Sequence, residues 1–489
     1  MTSSNVVPLV IGGKDVLTSE TFDVVSPATG KLLHKSSSAD VAEAVAAVDA
    51  AAAAFPAWSR SHVDERRAVL LRASDIIKAR GDELKTAMQD ETASDPAWAD
   101  INLRIATENI VHAASHLVNL EGRMPAVADP GREAVIIREP YGVIFSIAPW
   151  NAPLPLGIRA IVWAIAAGNT VVLKGSELSP RTLRLVCSVL WEAGLPPGVL
   201  NFITSAPSRA AAVTTAVIAH PRVRKVNFTG STTVGRIIAR TAGEHLKPVL
   251  LELGGKAPSI VLEDADLAVA ARHCALGAFL HAGQICMSTE RILVHASVRD
   301  AFAEHLVAAA AALYGGAASG DAREDQKAAA PVLVTSAAVV KNKALVADAV
   351  AKGATVLYGD ADADAEEDDG SRRMRPVVVA DVRPDMDLYK TESFGPTVSL
   401  ISFQDEADAV AIANDTEYGL VAAIFSRDLR RALAVARRIE TGAVHINSMT
   451  AHDEPALPHG GTKDSGYGRF GGGFDEWTRS KTITYDSQL

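Results

Sequence analysis

The sequence predicts an α/β protein with mostly parallel sheets, arranged in two successive units. Three observations predict it. From Val143 to Phe228 short apolar runs alternate with helical segments, the pattern of strands joined by crossover helices. A second series of the same kind begins after Glu252-Leu253-Gly254-Gly255. The chain has 489 residues, 48% of them hydrophobic and 22% charged, which is ordinary globular composition and length for two to four domains.

Helices open the chain. Residues 37–40 approximate a capping box, after which Val41, Val45, Val48 and Phe55 recur at roughly helical spacing. A second helix is expected from Val63 to about Met88, carrying Val69, Leu70, Ile76 and Leu84 on one stripe. A third is expected over 103–120, stopped before Gly122-Arg123-Met124-Pro125. A short strand at 134–138 is a plausible partner for a final strand at 481–485. The first sheet unit then runs strand 143–147, helix 158–167, strand 170–173, helix 183–193, strand 198–203, helix 210–218 and strand 224–228. The second includes a strand at 259–262, a helix from Leu267, a helix at 301–314 and strands at 355–357 and 376–380. Between those last strands GDADADAEEDDG (359–370) has nothing substantial and apolar to bury and reads as an exposed loop. It lacks the spacing of a calcium loop, and no metal site is expected.

Composition narrows the functional classes. A net charge of −10 with no basic block gives no nucleic-acid footprint, although a local basic pocket is compatible with it. The start has no basic region followed by a long apolar stretch, and no apolar run suggests a membrane span. The expected compartment is therefore the cytoplasm, with no membrane partner. Three cysteines rule out a disulfide framework, and the odd count asks whether one is a working thiol. Cys187 and Cys274 lie in apolar helical segments and read as small buried hydrophobes. Cys286 lies in His281-Ala282-Gly283-Gln284-Ile285-Cys286-Met287-Ser288, a glycine-broken entry to polar residues. At the start of a helix such a thiol has a lowered pKa and N–H groups that hold an oxyanion.

Other residues stand where a strand hands over to a loop. Glu252 follows Val249-Leu250-Leu251 and reads either as an acid/base, as a network carboxylate or as a partly exposed edge residue. Phe228-Thr229-Gly230-Ser231 through Gly235 puts glycine and hydroxyl groups at a helix N-terminus, suited to a phosphate or to ordinary capping. Lys174 and Glu177 sit just beyond a strand, as a ribose site or a surface ion pair. Pro149-Trp150-Asn151-Ala152-Pro153 restricts the backbone that carries the Asn151 amide.

Taken together, PWNAPLPL, AAGNTVVLKGSE, FTGSTTVG, LLELGGKAP, GQICMSTER, TESFGPTVSL and PHGGTKDSGYGRF resemble the NAD(P)-dependent aldehyde dehydrogenase superfamily, in that family's order and over essentially the whole chain. The resemblance implies two Rossmann-like parallel-sheet domains plus a small β oligomerisation arm. The cofactor-binding domain would be 1–125 with 142–253, the catalytic domain 254–445, the arm 126–141 with 470–489, and 446–469 a segment returning to line the substrate tunnel. It implies Cys286 as nucleophile, Glu252 as general base and Asn151 as oxyanion donor. Cofactor contacts would come from Ile147, Ala148, Pro149, Trp150, Lys174, Ser176, Glu177, Gly230, Ser231, Gly235, Leu253, Glu392 and Phe394. The cofactor would be NAD, with NADP possible, since a carboxylate at Glu177 repels a 2′-phosphate. Self-association as a homodimer or a dimer of dimers is implied as well.

The sequence departs from the common pattern in three places. KPxE is Lys174-Gly175-Ser176-Glu177, Gly-Arg-Glu is Gly468-Arg469-Phe470, and PFGG is Pro458-His459-Gly460-Gly461. With residues 446–450 and 452–455, these resemble the benzaldehyde, salicylaldehyde and vanillin dehydrogenase branch. That implies an aromatic aldehyde substrate, the alternative being an aliphatic aldehyde or semialdehyde. By family position the pocket would draw on Trp98, Leu156, Arg159, His281, Ile285, Met287, His452 and His459. Arg159 would either meet a charged ring substituent or only brace its helix.

Overall fold

The computed structural model describes residues 6–314, 330–359 and 370–486. Most of the acidic excursion, 360–369, lies outside the described residues. Two sheets carry the fold. In the first the strands stand in the order Gly466–Tyr467, Val249–Glu252, Val223–Thr229, Val143–Ile147, Thr170–Lys174, Leu200–Ile203, Leu9–Ile11 and Lys14–Val16. Its five central strands are parallel. They wind outward from Val143–Ile147 in one direction and then return to its other side. That reversal leaves a crevice at the carboxyl ends of Val143–Ile147 and Val223–Thr229, where ligands bind in open α/β sheets.

The second sheet runs Thr355–Tyr358, Val377–Ala380, Thr397–Phe403, Thr289–His295, Ala257–Val261, Val421–Phe425 and Ala443–Ile446, parallel except at its first pair. The returning segment after it crosses back and adds Gly466–Tyr467 antiparallel to the edge of the first sheet, with Gly466 opposite Glu252. Residues 132–140 and 478–486 form a separate two-stranded sheet. The arm thus begins at Thr478 rather than at 470. Phe470, Phe474 and Trp477 are buried in the core of the first sheet, which holds the intervening residues there.

The helices begin earlier than the apolar periodicity indicates. They span Pro96–His116, Pro153–Ala166, Pro180–Glu192 and Pro207–Ala219, each with proline in its first turn. At that position a missing N–H costs nothing and φ is already helical, so the prolines start these helices and do not delay them. The capping box is Asp40 with Glu43, three residues beyond the place read from sequence. The long second helix is two, Val63–Ala79 and Gly81–Thr92, with Arg80 outside helical geometry between them. Gly81 is there because a Cβ would stand 2.7 Å from the Leu103 side chain on the neighbouring helix. Short strands at Val6–Val7, Thr21–Val25 and Leu32–Ser37, which the sequence reading did not contain, make a third sheet. Among the described residues the helix Val41–Trp58 is apolar and long enough to cross a membrane by composition alone. It packs on the first sheet through Ala44, Ala47, Val48 and Ala51.

Glu91 ties these layers together. Its buried carboxylate accepts from the backbone N–H groups of Arg181 and Thr182, both at 2.9 Å, and from the Thr182 hydroxyl at 2.6 Å, and it pairs with His34 at 2.8 Å. A carboxylate at the start of Pro180–Glu192 also suits that helix dipole. This anchor fixes the first turn of Pro180–Glu192, which follows the loop carrying Lys174 to Glu177. Glu91→Ala leaves several buried donors without an acceptor and should destabilise the protein by about 3–5 kcal/mol. Chemical denaturation checks this, and Glu91→Gln should lose clearly less.

Candidate active site

Cys286 lies in a turn between the 3₁₀ segment Leu280–Gly283 and the strand Thr289–His295, not at a helix start. His281, Ala282 and Gly283 take positive φ values of 49°, 55° and 71°, which fold the chain sharply before the thiol. A Cβ on Gly283 would meet the Gly395 carbonyl oxygen at 2.1 Å, and one on Gly255 would meet the Cys286 carbonyl oxygen at 2.3 Å. Glycine at 255 lets the linker leaving Glu252 pass directly beside Cys286, and glycine at 283 lets the turn before the thiol pack on Gly395. The thiol therefore faces the Glu252 carboxylate. Burial, and then that negative charge, push its pKa well above the ordinary 9.0, with Arg159 opposing them. The lowered thiol pKa anticipated from a helix N-terminus is not present, because there is no such helix and the nearest charge is negative.

Glu252 ends its strand and is 1% exposed. Arg159 donates from Nη2 to its Oε2 at 2.8 Å, while Oε1 is buried without a hydrogen-bond partner and faces His459 Nε2 at 3.7 Å. Asp453 closes the ring of charges. Its Oδ2 lies 3.5 Å from Arg159 Nη1 and its Oδ1 lies 3.8 Å from His459 Nδ1. The guanidinium also lies 4.2 Å over the Phe470 ring. Burial by itself would raise the Glu252 pKa, but His459 and Arg159 outweigh it and hold it down at about 2. Because pairing lowers it below the ordinary 4.5, the stability it contributes is complete above that pH and is lost as pH falls toward 2. Of the readings the sequence left open, the carboxylate is a network member and not an exposed edge residue.

Asn151 follows the strand Val143–Ile147 and is 5% exposed. One N–H of its side-chain amide donates to the Gln284 carbonyl at 3.0 Å, and its backbone carbonyl accepts from Trp98 Nε1 at 3.1 Å. Among the described residues that amide donates no other hydrogen bond. The Trp98 indole stacks on the His281 imidazole, ring centres 5.5 Å apart and planes 16° apart. Burial lowers the His281 pKa to about 3, so this ring is neutral. Trp98 and Ile285 are part of the first core, and Leu156 and Met287 pack against it. His452 is placed differently from the others. It stands edge-on to His445 at 5.1 Å and pairs with Glu454 at 3.3 Å, and none of its ring or ion-pair contacts reaches Cys286.

The carboxyl-end crevice of the first sheet gathers the remaining residues. Ile147, Ala148, Pro149 and Trp150 leave Val143–Ile147, Lys174 ends the next strand, and Gly230 follows Val223–Thr229. Ser231 caps the helix Thr232–Glu244, in which Gly235 packs against Leu253, and a Cβ there would come 2.5 Å from the Leu253 side chain. Lys174 is 6% exposed and its ammonium has no hydrogen-bond or ion-pair partner among the described residues. Burial lowers its pKa while the Glu177 charge counters. Ser176 lies 3.5 Å from Glu177. Glu392 accepts from the Gly255 N–H at 2.8 Å, and burial raises its pKa to about 7. Phe394, at a φ of 47°, stands edge-on to Trp150 at 5.9 Å. Its backbone N–H and that of Ser393 are held by Glu290, which Lys256 pairs with at 2.5 Å in the buried interior.

The model of the aldehyde dehydrogenase family matches residues 16–483. A vanillin dehydrogenase of Pseudomonas fluorescens is 45% identical over 482 residues, covering 98% of this chain and 97% of that protein. The chain is a member of the aldehyde dehydrogenase family. As such it is an NAD(P)-dependent enzyme that oxidises aldehydes. The crystal structure of a salicylaldehyde dehydrogenase from Pseudomonas putida G7 complexed with salicylaldehyde superimposes with a TM-score of 0.92 at 37% identity, over 98% of both chains. A succinate-semialdehyde dehydrogenase from Burkholderia pseudomallei does so at 0.91 and 35%, also over 98% of both.

In this aldehyde dehydrogenase the fold brings Cys286, Glu252, Arg159 and His459 to one place, with Asn151, Trp98 and His281 on the other side of the Cys286 turn. Asp453, Gln284, Glu290 and Lys256 escaped the sequence reading. Asp453 lay within the quoted 452–455 run, and an acid so near His459 was the available signal. The Glu252 charge raises the thiol pKa, so Glu252→Gln should speed alkylation of Cys286 by iodoacetamide at pH 8 in the cofactor-free protein. A slower reaction would mean that the carboxylate activates the thiol.

Proposed function

We propose that this chain oxidises aromatic aldehydes to carboxylic acids, with Cys286 as nucleophile, Asn151 as oxyanion donor and Glu252 as the base of hydrolysis. The observation that carries the substrate class is the flat, uncharged wall of Trp98 stacked on His281, braced on Asn151 itself. Its planes suit a ring whose aldehyde carbon reaches Cys286. The 45% identity to a vanillin dehydrogenase and the likeness to a salicylaldehyde dehydrogenase support the same reading. A semialdehyde would need a cation for its carboxylate, and Arg159 already serves Glu252 and Asp453.

The residues present fit the cofactor. Lys174, buried and unpaired among the described residues, offers a donor to ribose hydroxyls, and the capped N-terminus of Thr232–Glu244 offers N–H groups to a phosphate. Glu392 is buried, with Oε1 already accepting from Gly255. When bound, NAD(P)+ accepts the hydride. We read a preference for NAD from Glu177, whose carboxylate beside Lys174 disfavours a 2′-phosphate.

The chain's own residues then divide the work. Sγ of Cys286 adds to the aldehyde carbon, and the thiol proton passes to the Glu252 carboxylate that it faces and from there to water before hydrolysis. The free N–H of Asn151 stabilises the oxyanion that forms. Loss of hydride leaves a thioester on Cys286. Water attacks that carbonyl while Glu252 Oε1, the unpartnered oxygen, takes its proton, and the C–S bond breaks to release the acid. We also assign the 132–140 and 478–486 arm to pairing with a second copy, since an isolated two-stranded sheet is marginal in water and this one exposes Ile483 and Tyr485.

The test is turnover of benzaldehyde, salicylaldehyde, vanillin, hexanal and succinate semialdehyde with each cofactor. The best aromatic should exceed hexanal and the semialdehyde in kcat/KM, and NAD should exceed NADP. A higher value for hexanal or the semialdehyde than for every aromatic contradicts the substrate assignment.

A further inference from the structure

Hydrolysis of the thioester leaves a proton on Glu252, and that proton must depart before the next turnover. The way out is constrained. Oε2 is held by Arg159, which has no acceptor capacity, and a proton handed back to Cys286 must leave again when the thiol next adds to an aldehyde. Only Oε1 is unpartnered, and the first group it faces, apart from the thiol, is the His459 imidazole at 3.7 Å. The other ring nitrogen faces Asp453 at 3.8 Å. Side-chain exposure rises along this line, from 1% at Glu252 through 7% at His459 to 18% at Asp453. Phe470 has no proton to exchange and stacks under Arg159.

We propose that His459 and Asp453 form the proton exit of this site, carrying the proton from Glu252 Oε1 to solvent. This rests on Glu252 being the base of hydrolysis. The proton moves from Glu252 Oε1 to Nε2 of His459 as the two close from 3.7 Å, Nδ1–H passes a proton to Asp453 Oδ1 or to water beside it, and exchange with water returns the remaining ring proton from Nε2 to Nδ1 before the next turnover. No bond other than N–H and O–H changes, and Glu252 returns to the carboxylate. The backbone keeps the imidazole in place, because the N–H and C=O of His459 both pair with Phe470 at 2.7 Å. Arg159, Glu252, Asp453 and the His445 ring, with His452 behind it, are the titratable or charged groups around His459.

The experiment compares His459→Ala, His459→Phe and Asp453→Asn with the parent enzyme, using benzaldehyde and NAD. Single-turnover NADH formation should stay within about twofold. Steady-state kcat should fall by about 10- to 100-fold in the His459 variants, and less in Asp453→Asn, as loss of a proton-transfer group does. Added imidazole should restore kcat in His459→Ala, with a rate that follows the concentration of the neutral base, which a merely structural role would not show. An unchanged kcat in both His459 variants and in Asp453→Asn overturns the exit. So does an equal loss of burst and turnover without imidazole rescue. If a variant does not fold, Asp453→Asn decides alone through its ratio of turnover to burst. Glu252→Gln separates the two claims, because full turnover in that variant removes the base assignment itself.

Discussion

Arg159 and Glu252 meet 2.8 Å apart in the interior, with side chains 5% and 1% exposed. Removing two such ions from water costs several kcal/mol each, and only a close, well-bonded partner offsets it. Much of the surrounding structure follows from that requirement. The helix Pro153–Ala166 is buried along nearly all its length, so that Arg159 can reach the end of the strand carrying Glu252. The returning segment crosses from the second sheet to the first and brings Asp453, His459 and Phe470 to the outer side of the guanidinium. Without the cation, the burial of Glu252 would be opposed chiefly by His459 and its pKa would rise. With it, the carboxylate is ionised throughout the physiological range.

The two sheets supply different halves of the chemistry, and close backbone contacts join them. Glu252, Asn151 and Lys174 come from carboxyl ends in the first sheet. Cys286 comes from the turn that enters Thr289–His295 of the second. The linker from the first sheet passes the Cys286 carbonyl at Gly255, while within the second unit Gly283 passes beside Gly395. Any side chain at either position would push the thiol away from the carboxylate. The second sheet also holds Glu392 and Phe394 through Gly255 and the buried Glu290–Lys256 pair, so a single set of contacts positions both the thiol and the loop beside Trp150.

Much of this was legible in the sequence for a physical reason. In a buried parallel sheet each strand is a short apolar run, and the chemistry lies where the run stops. Asn151, Lys174, Gly230 and Glu252 all stand where such a run stops, and their roles are what the family resemblance implies. The helix starts were read too late because Pro96, Pro153, Pro180 and Pro207 look like breaks in a periodicity, although they are first-turn residues. Cys286 was read as a helix entry because glycine followed by polar residues suits a cap equally well. The left-handed backbone at His281 and Ala282, which makes it a strand entry, leaves no mark on composition. The partnership of Arg159 with Asp453 spans most of the chain and depends on where the returning segment crosses, which local pattern does not encode.

The most direct measurement is the pH dependence of acyl-enzyme hydrolysis in Arg159→Met, followed from pH 4 to 9 beside the parent enzyme. Methionine fills similar space without charge, leaving burial to act on Glu252. The account predicts that the acidic limb, below pH 4 and outside this window in the parent, moves up by more than about one unit in the variant. An acidic limb at the same pH in both proteins would contradict it, because Arg159 would then not be what keeps Glu252 ionised.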